Sequence, residues 1–174
     1  MSVSKLFVAI LMICAVPTVF AGCGEDSDKS GSSKSAKSDK GADRHDYIQA
    51  LHDINVNGKK QADAADPFQG EENPTPEAVA AYAKVYTDLA DQIEALDVPK
   101  GAEKGNQLYA DGMRGLGETY ASVGEAIANA SPDDPTGGMQ KGSEIMDNID
   151  TSKMDEATAA FKAAGFDDAA DQVA

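Results

Sequence analysis

The sequence predicts an all-α fold: an antiparallel helical bundle of about four main helices with one or two short extra helices. Three observations lead there. Alanine is abundant, tryptophan is absent and no long β-branched run occurs, a composition that favours helix over sheet. Over two long stretches apolar residues recur at steps of three and four, the period of one face of an α-helix. Proline- and glycine-bearing breaks separate these stretches. About 130 residues carry the pattern, enough for one domain with its own core and too few for two.

In chain order, Tyr47, Leu51 and Ile54 begin a first, shorter helix that fades near Gly58 or continues weakly to Ala65. Residues 66–74, Asp-Pro-Phe-Gln-Gly-Glu-Glu-Asn-Pro, read as a loop. The clearest helix covers 76–97, where Val79, Tyr82, Tyr86, Leu89, Ile93 and Leu96 follow 3-4-3-4-3 spacing. Thr75 is placed as its N-cap and Pro76 takes the first helical position. Pro99 ends it by forcing Val98 out of the helical region. The next helix repeats the seam, with Tyr109, Met113, Leu116, Tyr120, Val123, Ile127 and Ala130 at 4-3-4-3-4-3. Joined through Val98-Pro-Lys-Gly101, the two should fold back as an antiparallel hairpin. Gly105, Gly112, Gly117 and Gly124 flank the second seam. Close approach of another backbone is the first explanation, and a kink near Gly115-Leu116-Gly117 the competing one.

Ser131 to Gly138 forms a second break, followed by a short helix with Met139, Ile145, Met146 and Ile149 facing inward. The last main helix opens at Thr151 or Ser152, with Asp155 at capping-box spacing from Ser152. It stops at Gly165, where Phe161 and Phe166 are placed for the apolar contact of a Schellman cap. A final turn or two, Asp167 to Val173, closes the chain.

What precedes the bundle concerns location. Lys5 and the N-terminus supply positive charge, Leu6 to Ala15 is almost unbroken apolar sequence, and small residues precede Cys23. The apolar stretch of about 16 residues is shorter than the ~20 a transmembrane helix needs and fits a cleaved leader. Val19-Phe20-Ala21-Gly22-Cys23 resembles a bacterial lipoprotein signal, with Phe20 where leucine is commonest. That resemblance implies removal of residues 1–22, thioether lipidation of Cys23 with a diacylglycerol and often a third, palmitate-type chain, and stable tethering to the membrane. The alternative is an ordinary secretory leader cut after Ala21. It would leave Cys23 as the lone thiol of a secreted chain, since Cys14 lies within the leader.

Residues 23–42 then form the lipidated cysteine and a tether. Its Ser/Lys/Asp-rich sequence has no large apolar residue from Gly24 to Ala42, so it is expected to be disordered, with a span of roughly 25 Å. Its lysines allow contact with anionic lipid or cell-wall polymer, but acids and bases balance there, which suits a solvated spacer. The domain itself, residues 43–174, is strongly acidic. From His45 onward 25 acids face 9 bases, which argues against nucleic acid and against docking on anionic lipid.

Few residues suggest chemistry. His45-Asp46 and His52-Asp53 repeat seven residues apart, about 10.5 Å along a helix, too far for one metal ion; exposed helix polarity explains them. The acidic pairs lack calcium-loop spacing, and no nucleophile elbow, phosphate loop, dinucleotide fingerprint or Cys/His metal set occurs. No catalytic residue, metal or cofactor is therefore expected. All five tyrosines lie on seam positions. Tyr82, Tyr86, Tyr109 and Tyr120 are the candidate ligand seam, either an aromatic cleft or a closed bundle seam whose hydroxyls reach solvent or backbone carbonyls. The antiparallel register places Tyr86 near Tyr120 and leaves Tyr109 closer to Leu89 and Ile93.

The Tyr47–Ile54 opening, the Leu96-Asp-Val-Pro99 turn and the closing Ala164-Gly165-Phe166 stretch resemble small helical lipoproteins of high-GC Gram-positive bacteria. That resemblance brings no catalytic or binding residues with it. The expectation is a non-catalytic interaction module on the extracytoplasmic face of the membrane, held at Cys23 and binding another envelope protein. The alternative is a small-ligand or cation binder using the tyrosine seam and acidic surface.

Overall fold

A computed structural model of the chain describes residues 43–69, 73–131 and 134–174. The leader, Cys23 and the tether, with every expectation attached to them, lie outside the described residues. Within them the regular elements are six α-helices: α1 (Arg44–Ala65), α2 (Pro76–Glu94), α3 (Glu103–Ala128), α4 (Pro135–Asp147), α5 (Ser152–Ala163) and α6 (Asp167–Val173). No strand occurs among the described residues, and the all-α bundle is as the sequence predicts. None of these helices is long and apolar enough to cross a membrane.

α3 is the centre of the bundle, touching α2, α4 and α5, while α1 packs on α2 and α6. The α2–α3 hairpin is antiparallel. Pro76 and Val79 face Gly124, Ala83 and Thr87 face Gly117, and the Ile93 carbonyl meets Asn106. Thr75 caps α2 by accepting the Ala78 N–H at 3.2 Å. Gly101, with φ at 102°, turns the chain toward α3. Across the hairpin Arg114 of α3 donates to Asp91 at 3.1 Å and Glu94 at 2.8 Å on α2. These half-exposed pairs fix register more than they add stability. Leu89 and Ile93 are both buried, as their seam position requires, and Ile93 is fully so.

α1 continues through Gly58 to Ala65, the longer of the two ends its sparse apolar pattern allows. The reason is contact with α2: a Cβ at Gly58 would lie 2.3 Å from Leu89. Glycine there lets Leu89 seat against the α1 backbone, and burial outweighs the weak local propensity. α3 likewise continues unbroken through Gly115 and Gly117. At Gly117 a Cβ would stand 3.0 Å from the Ala83 carbonyl, so close packing accounts for this glycine without a break in the helix.

α4 differs from expectation at both ends of the argument. It starts at Pro135 inside the supposed break, because Asp134 caps it by accepting the Gly137 N–H at 3.0 Å. Its tight contact with α3 is made by Gly138 and Gly142, which are buried, whereas Met139, Ile145, Met146 and Ile149 are only half-buried. α5 lacks the capping box. Thr151 is its N-cap without a side-chain bond, and Asp150 instead accepts the Ser152 N–H at 2.9 Å. Its C-terminus is the expected Schellman cap. Phe166 N–H bonds the Phe161 carbonyl at 2.8 Å, Gly165 N–H bonds Lys162 at 3.0 Å, and Gly165 has φ 79°. Phe161 and Phe166 are both buried and both lie against Tyr47.

Candidate functional site

The five tyrosines separate into two groups. Tyr82, Tyr86 and Tyr120 form one, together with Phe68 from the α1–α2 loop. Tyr86 stacks on Tyr120 with ring centres 5.2 Å apart, and Tyr82 meets both edge-on at 5.3 and 4.7 Å. Phe68 closes the group at 6.3 Å from Tyr82 and 6.4 Å from Tyr120. These are contact distances for aromatic pairs, so the rings themselves fill the space between α2 and α3. The Tyr82 and Tyr86 hydroxyls are 3.0 Å apart, and the Tyr120 ring packs against both tyrosines.

Tyr109 is not part of that group. It lies in the other half of the core with Tyr47, Ile93 and Phe161. Its hydroxyl donates to Asn55 Oδ1 at 2.7 Å, and Asn55 Nδ2 continues to the Gln172 carbonyl on α6 at 3.2 Å. Tyr47 donates to Asn106 Oδ1 at 3.0 Å, and Asn106 Nδ2 reaches the Ile93 carbonyl at 3.0 Å. The four-residue seam is thus two separate structures. The Tyr82 and Tyr86 hydroxyls pair with one another and the Tyr109 hydroxyl bonds the Asn55 side-chain amide, so these three use side chains and not backbone carbonyls. Once the phenols are withdrawn from water, only internal partners remain within reach.

Asn106 and Asn55 are the residues the apolar pattern passes over. Asn106 sits three residues before Tyr109 and Asn55 four after Leu51, so both continue a seam register. An amide on an apolar register is the signal that points to a buried hydrogen-bond bridge.

Burial raises the ionisation of all five phenols above the ordinary tyrosine value. For Tyr82 the hydrogen bond to Tyr86 adds to the effect, while for Tyr86 its bonds to Tyr82 and Tyr120 oppose it. The Asp66 carboxylate pushes Tyr82, Tyr86 and Tyr120 the same way as burial. The phenols therefore stay protonated and neutral, poor ligands for a hard cation and poor bases.

Two open grooves run along the other side of α3, against α4. One of about 500 Å³ is bordered by Gly115, Glu118, Thr119, Lys141 and Glu144. The other, of about 410 Å³, includes Glu125, Asn129, Asp134 and Gly138. Ser122, Lys141 and Ile145 belong to both. No tyrosine lines either one.

His45 and His52 are exposed on α1, and His52 Nδ1 lies 3.3 Å from Gln172 Oε1. Among the described residues no three His, Cys, Asp or Glu side chains converge as a metal-ion set. Comparison with known proteins adds no identity: no family model, no curated protein and no solved structure matches the chain.

Proposed function

We propose that this chain is a lipid-anchored extracytoplasmic lipoprotein whose helical domain is a non-catalytic interaction module of the cell envelope. The Val19–Cys23 arrangement supports the anchor, with Cys23 as the lipidated residue. The filled aromatic seam carries the choice between module and ligand binder. Tyr82, Tyr86 and Tyr120 stand in mutual ring contact, Phe68 packs on Tyr82 and Tyr120, and the Tyr82 and Tyr86 hydroxyls are paired, which supports a filled seam over a cleft for a small molecule. Recognition is then left to an outer face of the bundle, and an envelope protein is the partner that a tethered module can reach.

Cross-linking of the full chain in its native membrane tests this reading. The module reading expects a defined envelope protein joined to the helical domain and lost when that domain is unfolded. Absence of any cross-linked protein, together with a small molecule that raises the melting temperature and perturbs tyrosine fluorescence, would favour the ligand-binding alternative.

A further inference from the structure

The groove between α3 and α4 has a chemistry of its own. Thr119 Oγ1 donates to the Gly115 carbonyl at 2.9 Å and Ser122 Oγ to the Glu118 carbonyl at 3.0 Å. Each hydroxyl thereby turns its one proton back onto its own helix and leaves lone pairs for the groove. Asn129 Nδ2 donates to the Glu125 carbonyl at 2.8 Å and Asn148 Nδ2 to the Glu144 carbonyl at 2.7 Å, freeing both Oδ1 atoms. The carboxylates of Glu118, Glu125 and Glu144 add further acceptors. Lys141, at the junction of the two halves, is the one charged donor in this lining. The groove presents acceptors, so it fits an occupant rich in N–H donors and positive charge.

Gly115 supplies a separate argument. A mid-helix glycine is destabilising relative to alanine, and most glycines of α3 are explained by neighbours. Gly105 faces the Phe161 ring, Gly112 faces Met154 and Gly117 faces the α2 backbone. A Cβ at Gly115 would meet nothing within 4 Å, yet Gly115 borders the groove. No internal packing requires the missing side chain there. What its absence does is keep the groove clear.

Shape decides between kinds of cationic occupant. From Gly115 to Asn129 the α3 wall runs about 21 Å, the reach of six or seven extended residues. A helical ligand keeps its backbone N–H groups for itself, whereas an extended segment offers them to outside acceptors. We propose that the α3–α4 groove binds an extended, lysine- or arginine-bearing segment of a partner protein. This rests on the interaction-module reading and names the face and the partner chemistry.

The test is an anisotropy titration of the full chain with a fluorescein-labelled heptapeptide of alternating lysine and threonine, at physiological salt. The groove predicts saturable binding. Gly115→Leu, which fills the open position without changing charge, should weaken it at least tenfold, as should Glu118→Gln with Glu144→Gln. Asp167→Asn with Asp168→Asn removes equal charge from exposed α6 and should leave affinity within twofold. Equal loss in both double variants, an unaffected Gly115→Leu, or no binding by the wild type would overturn the proposal, as would spermine binding as tightly as the peptide. A partner cross-linked in the native membrane equally by wild type and Gly115→Leu would overturn the groove and leave the module reading standing. No cross-linked partner for either would remove that reading itself.

Discussion

Four of the five tyrosine hydroxyls have a side-chain partner, and the burial of all five rings has a pH signature. Burial raises every phenol above the ordinary value of about 10, so folding favours the protonated form. The resulting stability is fully present below that ordinary value and is lost as pH rises above it toward the raised folded values. Because no tyrosine lies outside the seams, tyrosinate absorbance should stay flat through the ordinary range and then rise together with loss of helical circular dichroism. A tyrosinate signal appearing near pH 10 with helices intact would mean the phenols are open to water. Asn106 should be the costliest single polar change. Asn106→Ala leaves the Tyr47 hydroxyl unpaired in the core and takes one of two donors from the Ile93 carbonyl, which keeps the Leu96 N–H, so chemical denaturation should show a loss of about 1–3 kcal/mol. The seam positions of the tyrosines are legible from spacing alone. Their division into two groups is not, because it depends on where Phe68 and two asparagines arrive from other parts of the chain.

Helices were legible in proportion to how much of their stability is local. α2 announces itself through Thr75, Pro76 and an uninterrupted seam, and it starts where the sequence places it but ends at Glu94, three residues before the predicted 97. The sequence leaves the end of α1 open and places the start of α4 late because the residues that hold them are glycines, which leave no mark on an apolar pattern. Gly58 seats Leu89, and Gly138 lies so close to α3 that a Cβ would be 2.8 Å from the Ala126 carbonyl. Two substitutions in α3 separate packing glycines from open ones. Gly105→Ala would put a methyl group 2.5 Å from the Phe161 ring and should cost about 1–3 kcal/mol. Gly115→Ala meets open space and should stabilise by about 1 kcal/mol through helix propensity. Thermal melts of the pair check both signs, and destabilisation of equal size at the two sites would contradict the packing described. At the hairpin, Leu89→Ala and Ile93→Ala should each lose about 2–5 kcal/mol.

At the scale of the whole molecule, the sequence before the bundle is of opposite character, and we propose that it is a leader and a tether. The tether contains no large apolar side chain, so a chain beginning at Ala42 should keep the helicity and melting temperature of the longer one. A loss above ~1 kcal/mol, larger than surface changes ordinarily cause, would assign residues 24–41 a place in the fold. The fold class was legible because composition, periodicity and breaks all point the same way. The proposed binding face was not, since the α3–α4 groove is assembled from residues that look like ordinary solvated helix surface. Attachment of this bundle to a membrane through Cys23 is the proposal on which the rest of the functional reading depends. Its most direct measurement is fractionation of cells producing the full chain or its Cys23→Ala variant, with metabolic labelling by a fatty acid. The account predicts that the wild type carries label and partitions with membranes, while the variant is unlabelled and soluble. A Cys23→Ala chain that stays in the membrane fraction, or a wild type without label, would contradict it.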